Sequence, residues 1–133
     1  MRQYCENALT VAKFLESSDK IASVRYPALP GNEHYERAQK YLPMGTSGVM
    51  SIDIKGGRAP ALKFMDSLKL ACNEVHVADI RTCVLHPASE THRQLTDEQL
   101  VAAGIEPGMV RSPVGLENVE DIIADLKQAL DQI

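Results

Sequence analysis

The side chains able to do chemistry are few and scattered. Cys5, Cys72 and Cys83 are odd in number and far apart, and no CxxC occurs. That excludes the usual zinc-ribbon and thioredoxin spacings and a dense disulfide framework. It makes a reducing, cytoplasmic home the expectation. Cys72 and Cys83 lie on apolar stretches, which favours buried structural thiols. His86 and His92 are six apart and do not share a helix face. His76 and Asp79 stand at an odd separation, which on a strand points to opposite faces, so a zinc site is only a minor reading. Neither GxGxxG nor GxxxxGK[ST] is present. Lys55-Gly56-Gly57 reads as a strand-to-helix turn, with an anion site at the following helix N-terminus as the lesser alternative. No GxSxG elbow exists, and Ser47 sits in a Gly-Thr-Ser-Gly turn. Glu117, Glu120, Asp121 and Asp125 look like a solvated helix face. Arg111 is the most interesting charge, in an expected strand between Val110 and Val114. Its planar fork can hold a carboxylate by two hydrogen bonds. Spacing alone favours a plain outward-pointing arginine on an edge strand.

These residues must be positioned by a chain of 133 residues, a length that predicts one domain over 1–133. Hydrophobic residues at 44% and charged residues at 24% exclude a disordered tail or a low-complexity array. The formal net charge of −4 argues against nucleic-acid and anionic-membrane surfaces, which select clustered Lys and Arg. The N-terminal run MRQYCENALTV is broken by Glu6 and does not read as a signal peptide. No uninterrupted apolar run reaches the roughly 18 residues of a membrane span.

Periodicity gives the elements. Cys5, Ala8, Leu9, Ala12 and Leu15 predict an amphipathic helix over 4–16. It begins at full strength, as expected of a chain whose natural start lies further upstream. Residues 21–26 predict a short strand, and Asn32 a cap for a helix reaching Leu42. Met50, Ile52 and Ile54 alternate with Ser51, Asp53 and Lys55, predicting a strand over 48–55 with one buried and one wet face. Leu62, Met65 and Leu68 predict the lining of a helix that follows Pro60, with Phe64 at its edge. Residues 74–78 and 82–86 predict strands, and 89–95 a helical turn. Thr96 and Gln99 fit a capping box. Residues 109–114 predict a last strand, which Pro113 demotes to an edge or a short segment. Asn118 caps a final helix with a continuous apolar stripe from Val119 to Ile133. The irregular alternation predicts an α+β layer: a small mixed or antiparallel sheet with helices mainly on one face.

Five stretches carry a resemblance: CENALTVAKFLE (5–16), HYERAQKYLPMGTSGVMSIDIKGG (34–57), FMDSLKLA (64–71), DIRTCVLHPASETHRQLTDEQLVAAGI (79–105) and VRSPVGLENVEDIIADLKQAL (110–130). Together they resemble the C-terminal domain of the Cys/Met-metabolism family of pyridoxal-phosphate (PLP) enzymes, with O-acetylhomoserine sulfhydrylase as the nearest subfamily. The resemblance implies an aminotransferase-like small domain. It also implies chemistry that eliminates acetate from O-acetylhomoserine and adds sulfide or methanethiol. In such enzymes PLP joins a lysine of a large upstream domain as a Schiff base and acts as an electron sink. No motif of that domain occurs in this sequence, so no PLP is expected on this chain alone. Its expected partners are that large domain or a full-length paralogue.

The same resemblance assigns substrate-side roles. Arg111 matches the arginine that grips the substrate α-carboxylate. Thr91 matches a position near that carboxylate, and His76 stands where many relatives carry Ser or Asn. Ser112-Pro113 departs from the usual apolar-serine pair after the arginine, and proline removes a backbone donor. The alternatives are a non-catalytic binding relative of this domain, or the same domain of a cystathionine γ-synthase or γ-lyase. Full enzymes of the family form homo-oligomers, and an isolated domain exposes the surface that faces the large one. Sedimentation velocity over a wide concentration range is therefore expected to show self-association; a clean monomer throughout counts against it.

Overall fold

A computed structural model describes residues Met1–Ile133. In chain order it contains α1 (Arg2–Glu16), β1 (Ile21–Arg25), α2 (Tyr35–Tyr41), β2 (Val49–Ile54), α3 (Arg58–Ser67), β3 (Cys72–Asn73), β4 (Cys83–Val84), α4 (Asp97–Ala102), β5 (Met109–Pro113) and α5 (Val119–Leu130). The expected α+β layer is present. An antiparallel sheet runs in the order β1-β2-β5, and β3 pairs with β4 in parallel beside it.

The helices cover one sheet face because the strands offer one apolar face. Met50, Ile52 and Ile54 of β2 point into a core completed by Val110 of β5. Against them pack Ala8, Val11, Ala12 and Leu15 of α1, Ala61, Phe64 and Met65 of α3, and Ile122, Leu126, Ala129 and Leu130 of α5. Both expected caps form. The Thr96 hydroxyl accepts from Gln99 N while the Gln99 side chain accepts from Thr96 N, and Asn118 Oδ1 accepts from Glu120 N.

Several expectations need correction. Phe64 is fully buried and Leu62 is exposed, because α3 meets the core through Ala61, Phe64 and Met65. Asn32 does not cap α2; His34 is the cap residue, and Asn32 Oδ1 accepts from His34 N in the turn before it. The strand expected over 74–78 is absent. The pairing lies earlier, at Cys72–Asn73, and Val75 and Val77 are exposed on a loop. Ala78 in that loop has φ +62°, a conformation costly for a residue with a Cβ. Asp53 is not on a wet face: it is buried, accepts from Ser23 Oγ and pairs with Arg25 at 3.1 Å.

β5 lies at the edge of the three-stranded sheet, as Pro113 suggested, and its outer flank carries one bridge. It hydrogen-bonds to β2 on one side, while Arg111 exchanges two 2.9 Å backbone bonds with Leu85 on the other. Successive residues of a strand alternate the side to which their N–H points. Arg111 N points to Leu85 and Val114 N to Gly48 of the β2 side, so the missing Pro113 N–H costs β5 no rung with β2. Arg111 stands opposite Ser51.

Glu120 and Asp121 are exposed as expected of a solvated face, but Asp125 departs from it. It is buried, and its carboxylate accepts from the backbone N–H groups of Lys69, Leu70 and Ala71 at 2.8–2.9 Å. Those donors belong to the segment leaving α3, so one side chain fixes how the chain enters β3. Removing it strands three donors. Asp125→Ala is expected to cost about 3 kcal/mol, and Asp125→Asn less, since bonds to a charged acceptor contribute ~1.5–3 kcal/mol; urea midpoints at neutral pH measure both.

Candidate functional site

The outer face of the sheet, opposite the helices, carries the polar residues. Ser51 of β2 is flanked across the ladder by Arg25 of β1 and Arg111 of β5. Above them runs the segment Leu85–Leu95, held to β5 through Leu85. Between them lies a cleft of about 400 Å³ lined by Arg25, Ser51, Thr91, His92 and Arg111 with apolar neighbours such as Met109. No carboxylate lines it. Two guanidinium groups without an acid in the lining make the cleft attractive to anions.

Arg111 is held but not saturated. Its Nη2 donates to the Val75 carbonyl at 2.6 Å, and its Nε is buried without a partner. A buried unpaired donor carries a desolvation cost that an incoming acceptor relieves. Arg25 is more committed, donating to the Gly104 carbonyl and pairing with Asp53.

The structure brings Arg111 and Thr91 to one cleft. The Thr91 hydroxyl lies 2.9 Å from His92 Nδ1, so both polar groups sit together at the rim. His76 does not line this cleft. It sits exposed on the 74–82 loop, with Nδ1 2.9 Å from Glu74 and 3.5 Å from Asp79. The expectation that His76 and Asp79 face apart fails because the segment is a loop, not a strand. Arg81 also reaches this acidic pair, and its hydrogen bonds hold the Asp79 carboxyl down to about 2.

Four supporting residues, Glu117, Thr82, Gly115 and His86, were not read as such in the sequence. Glu117 accepts from Thr82 N and Thr82 Oγ1, and Thr82 Oγ1 accepts from Gly115 N, which ties the start of β4 to the exit from β5. Gly115 is packed so closely that a Cβ there would press on the Ile80 and Arg81 backbone. His86 is fully buried, with Nε2–H donating to the Pro107 carbonyl and Nδ1 2.8 Å from Ser89 Oγ. It anchors the segment that leads to Thr91. The signal for it was the apolar run just before it, Cys83-Val84-Leu85, which leaves a histidine inside.

The chain is thus a small α+β domain with an arginine cleft on its uncovered sheet face. The comparisons with known proteins supply the particular family. Residues 1–131 match the family described as Cys/Met metabolism PLP-dependent enzyme, and the chain belongs to it. It is 43% identical over its full length to an O-acetyl-L-homoserine sulfhydrylase of Leptospira meyeri, covering 30% of that protein. It is 44% identical to an L-methionine gamma-lyase of Porphyromonas gingivalis, again over its full length and 33% of that protein. Among solved structures, an O-acetylhomoserine (thiol)-lyase of Campylobacter jejuni, which carries N'-pyridoxyl-lysine-5'-monophosphate, superposes with a TM-score of 0.89 at 38% identity, over 97% of this chain and 31% of that one. The chain thus spans about a third of the length of the curated relatives it matches. No lysine lines the Arg111 cleft, so it offers no amine to a PLP aldehyde, and the residues around it do not by themselves fit that cofactor. No helix is long and apolar enough to cross a membrane.

Burial pushes His86 below the ordinary histidine value of 6.5. Its folded pKa lies under its unfolded one, so its contribution to stability is complete above about pH 6.5. As pH falls below that, the unfolded chain takes up a proton that the folded chain refuses. Wild-type stability is therefore expected to drop between pH 7 and 5 more steeply than that of His86→Gln, as read by urea midpoints across that range. Parallel slopes would show that His86 does not titrate this way.

Proposed function

We propose that this chain is the substrate-side domain of a PLP-dependent enzyme acting on O-acetylhomoserine-type amino acids, with Arg111 holding the substrate α-carboxylate. The observation that carries the reading is the Arg111 side chain: it lines an acid-free cleft and keeps a buried Nε with no partner. A carboxylate can accept from Nε and a terminal nitrogen in the two-pronged geometry that favours arginine. Thr91 adds a hydroxyl at the same rim, which donates to a carboxylate oxygen, directly or through a water, when His92 Nδ1–H donates to it. His76 enters through its neighbour Val75, whose carbonyl Arg111 holds.

In this reading the chain binds and orients, and turnover requires the large PLP-bearing domain, joined in one polypeptide or supplied by a full-length paralogue. PLP there supplies the electron sink for γ-chemistry. Relatives named as sulfhydrylases and as methionine gamma-lyases are equally similar, at 43% and 44%. Both chemistries begin by gripping the same α-carboxylate. The sulfhydrylase assignment therefore rests on the sequence resemblance, and γ-elimination is the second reading, which the gamma-lyase relatives favour.

Titration of the isotopically labelled chain with O-acetyl-L-homoserine is expected to give saturable amide shifts at Arg111 and Thr91. Its methyl ester, which lacks the carboxylate charge, should not. Arg111→Gln is expected to weaken the acid by roughly 30-fold, equivalent to ~2 kcal/mol, with Arg111→Lys in between. Equal affinity for acid and ester, or an unaffected Arg111→Gln, would sink the assignment.

A further inference from the structure

We propose that Cys72 and Cys83 form an oxidation-dependent disulfide that clamps the base of the 74–82 loop. The two residues are register partners in the parallel β3–β4 pair, and both are free thiols. Neighbouring strands stand about 4.8 Å apart, inside the ~4.4–6.8 Å window of Cα separations that a disulfide spans. Register partners project to the same face of a ladder. Cys72 Sγ accepts from Arg81 Nη1 at 3.9 Å, and Cys83 Sγ donates to the Arg81 carbonyl at 3.6 Å. Each strand of this ladder is only two residues long, so its ends can close the remaining Cβ distance without disturbing the three-stranded sheet.

Accessibility sets the order of events. Cys72 is partly exposed, whereas Cys83 is fully buried. A peroxide oxidises the Cys72 thiol to a sulfenic acid; the O–O bond breaks and one water leaves. The Cys83 sulfur then attacks the Cys72 sulfur. The S–S bond forms, the S–O bond breaks, and the hydroxyl departs as water with the Cys83 proton. In sum, two thiols lose two electrons and one peroxide becomes two waters. The clamped loop contains Val75, whose carbonyl holds Arg111 Nη2, so the bond would fix the group against which that guanidinium rests. Only this last consequence depends on Arg111 as carboxylate ligand; the disulfide itself does not.

The full chain, treated with hydrogen peroxide and blocked with an alkylating agent, is digested with trypsin without reduction. Cleavage after Lys69, Arg81 and Arg93 places Cys72 and Cys83 on separate peptides, 70–81 and 82–93. The expected result is those two peptides joined, lighter than their sum by two hydrogens and separated by dithiothreitol. The Cys5 peptide should remain alkylated. Cys72→Ser and Cys83→Ser should each lose the joined species, and Cys5→Ser should keep it. Linear peptides carrying a sulfinic acid at Cys72, or Cys72 joined to another chain, would overturn the proposal on the wild-type protein alone, whatever the variants do. Because the readout is a mass, it is independent of carboxylate binding.

Discussion

Two backbone hydrogen bonds between Arg111 and Leu85 join the sheet to the segment that runs over its outer cleft. The three-stranded sheet alone would leave β5 with a free edge and the Leu85–Leu95 segment adrift. The bridge joins them, and it does so at the residue whose side chain enters the cleft. Arg111 therefore has its main chain fixed from both flanks, by β2 and by Leu85. Thr91 follows a few residues along the anchored segment. Burial of His86 against the Pro107 carbonyl then sets the path of that segment over the sheet.

Polar groups inside the fold do the joining that a larger hydrophobic core would do in a bigger protein. Asp125 gathers three N–H groups from the chain leaving α3, and Glu117 with Thr82 and Asn7 gathers the turn after β5, where the Asn7 amide donates to the Gly115 and Glu117 carbonyls. Each acceptor or donor is paired inside the domain. A buried group so paired specifies one arrangement, because any slip leaves several partners unmet. The crowding at Gly115 has the same effect sterically.

What could be read in advance followed from local rules. The alternation of Met50, Ile52 and Ile54, the capping box at Thr96 and the stripe of α5 are short-range patterns, and each appears where its period places it. The failures are long-range. Nothing local in Glu74–Ala78 distinguishes a strand from a loop that lacks a partner. Asp125 sits among acidic neighbours on its helix, and only packing against α3 reveals that it is buried. β5 does lie at the edge of its sheet, as Pro113 suggested, but no local pattern shows the bridge from Arg111 to Leu85. Arg111 was legible as an outward-pointing strand arginine, and its cleft was not, because Arg25 and Thr91 arrive from distant stretches of chain.

The hydrogen bond from Arg111 Nη2 to the Val75 carbonyl has a thermodynamic consequence. A free arginine side chain gives up about 2 kcal/mol of rotamer entropy when immobilised. Here the carbonyl parks the guanidinium before any ligand arrives, so much of that ordering is completed during folding. On the proposed reading, an anion entering the cleft would meet a guanidinium already extended by that bond. Its affinity then depends on how well the anion fits, and less on how much chain it must still.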